Sequence, residues 1–320
     1  MLRKVLFLLG ALIALLFAFG PYEEGDVSVD FDPSVLAEGV EAYFTAQEAE
    51  VSGITPGVEK QVIWFGAPEA ETDWAVLYIH GFSATAQEIR PVPDLVAEAL
   101  EANLIYTRLT GHGRDGPALG EARVSDWMRD VAEGLAAARQ IGKRTLVLSV
   151  STGGTLAAAA ALDPALAQDI GGIVFLSPNF GINSPLAPLL TLPAARLWLP
   201  RLAGRERSFA PQNDAQATYW TTRYPSVAVL TLAALVKTVA KLDFEDAALP
   251  ALFIYSEADT VVRPDLTQAV ARKWGGPVSV VTPELTAADD PARHVLAGEI
   301  MSPGQTAPTV EAILAWAGRL

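Results

Sequence analysis

From Gln61 onward the chain alternates between short β-branched or aliphatic runs and longer Ala-rich stretches with apolar positions at helical spacing. The short runs predict strands at Gln61 to Phe65, Trp74 to Ile79, Asn103 to Leu109, Thr145 to Ser149, Gly172 to Leu176, Ala251 to Tyr255 and Val278 to Val281. Several show no polar alternation, as strands do when both faces are covered. Between them, Ser125 is placed to cap a helix that puts Trp127, Val131, Leu135 and Ala138 on one face, with Gly142 as its terminator. The stretches Thr152 to Leu162 and Gln268 to Trp274 read as helices in the same way. This alternation predicts an α/β fold, a mostly parallel central sheet flanked by helices, over residues 59–320. The rhythm breaks between about 181 and 249, where no convincing strand occurs. Unstructured connections beyond ~15 residues are uncommon, so the segment is expected to be an inserted helical cap.

Ahead of the body lie two segments of opposite character. Arg3 and Lys4 precede an uncharged apolar run over residues 5–20, so residues 1–21 read as an export signal or an N-terminal membrane anchor. At ~1.5 Å per residue the run reaches about 24 Å, short of a ~30 Å hydrocarbon core. The basic flank places the remainder outside, periplasmic or extracellular, with a tether possible through residues 5–20. Residues 22–58 form an acidic arm: nine carboxylates fall between Glu23 and Glu50, with no Lys or Arg. Asp32-Pro33 is a helix-start signal, and Leu36, Val40, Tyr43 and Phe44 form a stripe able to dock on the body.

Composition narrows the function classes. Of 320 residues, 51% are hydrophobic and 19% charged, which is globular. A formal net charge of −14 supplies no basic field, so nucleic acid is not an expected partner. The absence of cysteine excludes disulfides, thiolate metal sites and a cysteine nucleophile. The three histidines, His80, His112 and His294, are scattered and form no metal motif, so neither metal nor cofactor is expected. Gly111-His112-Gly113-Arg114-Asp115-Gly116 matches G-x-G-x-x-G, but Pro117 and Gly120 read as continuing loop rather than the helix a pyrophosphate needs. His112 is expected to be structural.

The chemistry concentrates at Leu146-Val147-Leu148-Ser149-Val150-Ser151-Thr152-Gly153-Gly154, where an aliphatic strand runs into small residues and an Ala-rich helix. A serine on such a sharp turn is held exposed, and small residues two before and two after let the backbones pass. Here the flanks are Ser149, where glycine is commoner, and Gly153. Upstream, a buried strand ends at His80-Gly81-Phe82-Ser83, a place suited to presenting a backbone amide. The amides of Phe82 and Thr152 are the candidate oxyanion hole. His80 itself reads as a strand-end packing residue.

An acid and a histidine should follow in that order. The strand Ala251 to Tyr255 leads into Ser256-Glu257-Ala258-Asp259, making Asp259 the candidate acid, with Glu257 as competitor and a plain helix cap as the blander alternative. His294, in Asp289-Asp290-Pro291-Ala292-Arg293-His294, is the one histidine of the final third. Asp289 and Asp290 are expected to cap or solvate their loop.

These motifs together resemble the α/β-hydrolase superfamily, in its serine branch of carboxylesterases, monoglyceride lipases and lysophospholipases. The resemblance covers roughly Gln61 to Leu320 and includes Gly111-His112-Gly113. It implies an α/β-hydrolase fold in which Ser151 is nucleophile, His294 base and Asp259 the orienting acid. Dehalogenases and epoxide hydrolases of the superfamily carry aspartate at the elbow, against Ser151 here. The implied activity is carboxylesterase action on a small-molecule ester of short to medium acyl chain. A lysophospholipase or monoacylglycerol lipase is the alternative within enzymes, an amidase is left open, and a non-catalytic binding protein on the same fold is the alternative of another class. Substrate contacts are sought in the cap, at Trp198, Tyr219 and Trp220, among leucines that serve equally as the cap's own core. Arg196, Arg201, Arg205 and Arg207 form a local basic cluster, most simply a solvated face.

Overall fold

The computed structural model describes residues 2–320. Helices α1 (Leu2–Phe19) and α2 (Val40–Ala49) precede strand β1 (Gln61–Ile63). There follow β2 (Thr72–Ile79), α3 (Val92–Ala99), β3 (Asn103–Tyr106), α4 (Gly116–Glu121) and α5 (Val124–Ile141). Next come β4 (Gly142–Val150), α6 (Thr152–Ala161), β5 (Ile170–Leu176), α7 (Ala195–Leu202), β6 (Glu206–Ser208), α8 (Asp214–Tyr219), β7 (Arg223–Pro225) and α9 (Ala228–Val239). The chain closes with β8 (Ala251–Ile254), α10 (Pro264–Lys273), β9 (Val278–Val281) and α11 (Thr306–Ala317).

Seven strands make one sheet in the order β1-β3-β2-β4-β5-β8-β9, parallel throughout except for the antiparallel edge pair β1 and β3. The missing alternation has its cause here. Along β2, Ala75, Leu77 and Ile79 enter one core with α5 and α6, while Trp74, Val76 and Tyr78 enter the other with α3 and α11. Both faces of the strand are apolar because both are covered. The antiparallel first strand fits an edge position, where a short segment pairs on one side only.

Three local readings change. Between β5 and β8, helices α7 to α9 are joined by the two-stranded ribbon β6–β7. Its strands are three residues long and largely exposed, so no apolar period marks them. Helix α5 starts earlier than expected: Arg123 is its cap residue, Asp126 Oδ2 accepts from Arg123 N at 2.9 Å, and Ser125 lies inside the first turn. A helix also opens at Gly116, where a loop was expected. Asp115 Oδ1 accepts from Ala118 N at 3.1 Å, so a carboxylate of the chain fills the position a phosphate would take, and the nucleotide reading still fails.

Helix α1 exposes Phe7, Leu8, Leu12, Leu15 and Phe19. Its 18 residues reach ~27 Å, and among the described residues no helix is long and apolar enough to cross a membrane. The chain then runs beside α7, where Ala194 N donates to Pro21 O at 2.6 Å and Arg196 pairs with Glu23. Arg196 is thus neutralised within the chain, while Arg201, Arg205 and Arg207 are exposed. In the acidic arm, Asp32 caps a single 3-10 turn by accepting from Ser34 N at 2.9 Å, and the helix proper begins at Val40. Leu36, Val40 and Phe44 are buried against the body, and a buried Glu48–Arg108 pair at 2.7 Å fastens α2 to the loop after β3.

Candidate active site

Strand β4 passes into α6 through Ser151, whose backbone is held at φ 50°, ψ −113°. A non-glycine residue in this region is strained by the order of 1 kcal/mol or more, and it persists because its surroundings fix it. Ser151 N donates to Leu176 O at 3.0 Å, and Ser151 O accepts from Asn179 N at 3.0 Å. The small flanks have separate reasons. Ser149 is fully buried and its hydroxyl donates to Val174 O at 2.8 Å, so the departure from glycine is accommodated by a neighbouring strand carbonyl. At Gly153, an added Cβ would overlap the carbonyl oxygen of Ile79 and approach His80 O at 2.8 Å. Both obstacles are backbone at the end of β2 and cannot swing away. Gly153→Ala is therefore expected to cost about 3 kcal/mol of stability or prevent folding, as read by urea denaturation.

The opposite wall is built by His80. Leu109 N donates to His80 Nε2 at 3.1 Å, which leaves the ring proton on Nδ1, where it donates to Gly81 O at 2.9 Å. Burial, above all, drives His80 down to about 4, so this neutral tautomer persists at neutral pH. The Gly81 carbonyl and the Phe82 N–H share one trans peptide and point oppositely, so fixing the first fixes the second. Phe82 N–H meets no acceptor among the described residues, and Thr152, first residue of α6, has an N–H with no intrahelical partner. Two unused amides therefore flank Ser151. His112 is fully buried beside His80, Phe82 and Trp127, and burial pushes it well below 6.5; its role is packing.

Asp259 and His294 arrive from separate loops. Asp259 Oδ2 accepts from His294 Nδ1 at 2.8 Å, while its Oδ1 accepts from Val261 N at 2.7 Å and Val262 N at 2.9 Å. Glu257, the competitor, is exposed. The backbone of His294 is held by Asp290, whose Oδ2 accepts from His294 N at 3.0 Å and Val295 N at 2.9 Å. Asp289 and Asp290 are both buried caps, so the solvated alternative falls away. Burial alone would lower the His294 pKa, but the hydrogen bond and charge of Asp259, with Glu88 and Asp290, outweigh it and raise the imidazole above 6.5.

Ser151 and His294 line the same cavity of about 670 Å³, with no hydrogen bond between them. Its volume lies within the ~300–1,000 Å³ of small-molecule sites. Phe82, Thr152 and Glu88 join them at the floor, and Leu189, Leu190, Trp198, Leu199 and Leu232 form an apolar roof. Leu230 and Leu235, by contrast, are fully buried and serve the core. Trp220 lines the cavity. Tyr219 does not: it lies in a separate polar groove with Arg90 and Asp94. Helix α8 ends between them: Tyr219 is its last residue, whereas Trp220 has already turned to extended backbone at φ −113°, ψ 145°. Among the described residues no group of three His, Asp or Glu side chains is arranged to hold a metal ion. Glu88 is the one floor residue that sequence reasoning missed, because a lone acid in Gln87-Glu88-Ile89-Arg90 carries no motif.

Comparisons with known proteins agree with this architecture. A family profile described as Alpha/beta hydrolase family matches residues 76–299. A thermostable monoacylglycerol lipase from Bacillus sp. (strain H-257) is 30% identical over 190 residues, covering 59% of this chain and 72% of that protein. A solved structure reported for LipS and LipT, metagenome-derived lipolytic enzymes, superposes with a TM-score of 0.66 at 19% identity, over 83% of this chain and 100% of that one. A soluble variant of monoglyceride lipase from Saccharomyces cerevisiae gives a TM-score of 0.57 at 12% identity, over 84% and 97% of the two chains. The last two likenesses are of fold.

Proposed function

This chain belongs to the alpha/beta hydrolase family, and from that premise we propose that it is a serine hydrolase cleaving carboxylic esters of short to medium acyl chain through an acyl-enzyme. The observation that carries the reading is the 2.8 Å contact between Asp259 Oδ2 and Nδ1 of His294, which itself lines the cavity with the strained Ser151. With its proton held on Nδ1, His294 presents Nε2 as an acceptor. Ser151 Oγ attacks the ester carbonyl carbon as its proton passes to Nε2. The negative oxygen so formed is bound by the amides of Phe82 and Thr152, donors worth about 3 to 4 kcal/mol each. The tetrahedral adduct collapses, the carbon–oxygen bond to the alcohol breaks, and His294 returns the proton to the departing alcohol. Water, deprotonated by His294, then releases the carboxylic acid and restores Ser151.

Hydrolysis of a p-nitrophenyl ester series from C2 to C12 tests the reading, and no turnover of any member would end it. Each methylene entering the apolar cavity contributes up to about 0.8 kcal/mol, so kcat/KM rises with chain length until the roof is reached. A monoacylglycerol lipase is the second reading, favoured by the apolar roof and the Bacillus relative. Turnover of a monoacylglycerol against the methyl ester of the same acid separates the two. We also propose export, on the basic flank and apolar run of residues 3–20, tested by fractionating cells that express the full chain.

The pH dependence follows from the raised His294. Only the neutral imidazole accepts the serine proton, so kcat/KM climbs as His294 deprotonates, with a midpoint above 6.5. A profile flat from pH 5 to 8 contradicts the assignment of the base.

A further inference from the structure

We propose that Glu88 is a positioning residue of the hydrolytic site, clamping the turn that presents the Phe82 amide and placing its carboxylate in the cavity that the His294 imidazole lines. The proposal rests on the reading of Ser151 and His294 above. Glu88 sits between β2 and α3 and is 2% exposed. Its Oε2 accepts from Gly81 N at 2.7 Å and from Tyr78 OH at 3.1 Å. With His80 holding Gly81 O, the Gly81 backbone is gripped at both ends, and the peptide carrying the Phe82 N–H cannot rotate. Oε1 is left without a hydrogen-bond partner among the described residues, and Glu88 lines the cavity with Ser151 and His294. A Cβ built on Gly81 would stand 2.8 Å from Oε1 and 3.2 Å from Ser151 Cβ. The carboxyl and Ser151 thus both border the space that Gly81 leaves open.

The clamp alone does not need a charge. A glutamine would accept from the same two donors, and a buried carboxylate is far more costly than a buried amide. Neither lysine nor arginine pairs with Glu88 among the described residues; the titratable groups around it are Tyr78 on β2, which donates to it, and His294 on the loop before α11, which lines the same cavity. Burial pushes Glu88 up to about 7, against the opposing pull of Gly81 N, His294 and Tyr78. Tyr78 is raised well above 10 and stays a donor. The charge of His294 lowers Glu88 and that of Glu88 raises His294, so a negative carboxylate favours the imidazolium that forms as Ser151 attacks. The other acids whose charge raises the ring are Asp259, on Nδ1, and Asp290, on the His294 backbone N–H.

The experiment compares wild type, Glu88→Gln and Glu88→Ala on p-nitrophenyl butyrate across pH 5 to 9. The glutamine keeps the clamp and removes the charge, so the midpoint of kcat/KM falls by at least about half a pH unit. The alanine removes both, so kcat on the alkaline plateau falls at least about tenfold, with KM within about twofold. An unmoved midpoint in Glu88→Gln, or an unchanged kcat in Glu88→Ala, overturns the proposal. If the alanine variant does not fold, the glutamine midpoint alone decides. Failure of the underlying reading looks different: turnover would then persist in Ser151→Ala, whereas failure here leaves Ser151-dependent turnover indifferent to Glu88.

Discussion

Ser151→Ala is expected to lower kcat for ester hydrolysis by about a millionfold while leaving the protein folded. The size follows from removing the only atom that forms the covalent bond, since the remaining groups then act on water alone. The preserved fold follows from the backbone. Ser151 holds φ 50° because Leu176 O and Asn179 N grip it on both sides. Alanine carries the same Cβ and meets the same strain, so the native state loses no packing. Matched kinetics and thermal melts check this, with the midpoint of unfolding expected within about 2 °C of wild type. Activity retained within about tenfold would place the nucleophile elsewhere.

Asp259→Asn is expected to lower kcat by about ten thousandfold, the loss that follows when an imidazole is held in the wrong tautomer. The hydrogen bonds force that outcome. Val261 N and Val262 N both donate to Oδ1, so an asparagine must keep its carbonyl oxygen on that side. Its NH2 then faces His294 Nδ1 at the position of Oδ2, where the native contact is 2.8 Å. A ring that accepts at Nδ1 carries its proton on Nε2 and cannot take one from Ser151. KM changes little, because Asp259 does not line the cavity. A kcat within about tenfold of wild type would contradict the tautomer argument.

The sheet was readable from the chain because burial on both faces writes unbroken apolar runs, and β2, β4, β5 and β8 each have one. The elbow was readable for a different reason: only small residues fit where β4 and α6 pass the end of β2, and Gly153 has backbone on its open side. His294 was nearly forced by a count of three histidines. The β6–β7 ribbon escaped because strands of three exposed residues leave no period, and α4 escaped because Pro117 and Gly120 suggest loop although Asp115 caps a turn around them. Tyr219 and Trp220 looked equivalent in sequence, yet the helix ends between them and they line different cavities. Glu88 belongs to a further class. Its importance lies in a distance to Gly81, seven residues away, and no spacing rule announces that a lone acid will turn back beneath the turn it follows.

The central claim is that Ser151 is the side chain made nucleophilic by His294. It is tested most directly by treating the protein with a fluorophosphonate and locating the adduct by peptide mass spectrometry. The expected result is a single adduct on Ser151, formed faster as pH rises past the His294 midpoint and absent from Ser151→Ala. An adduct on Ser149, Ser83 or any other serine, or one that survives in Ser151→Ala, would contradict it.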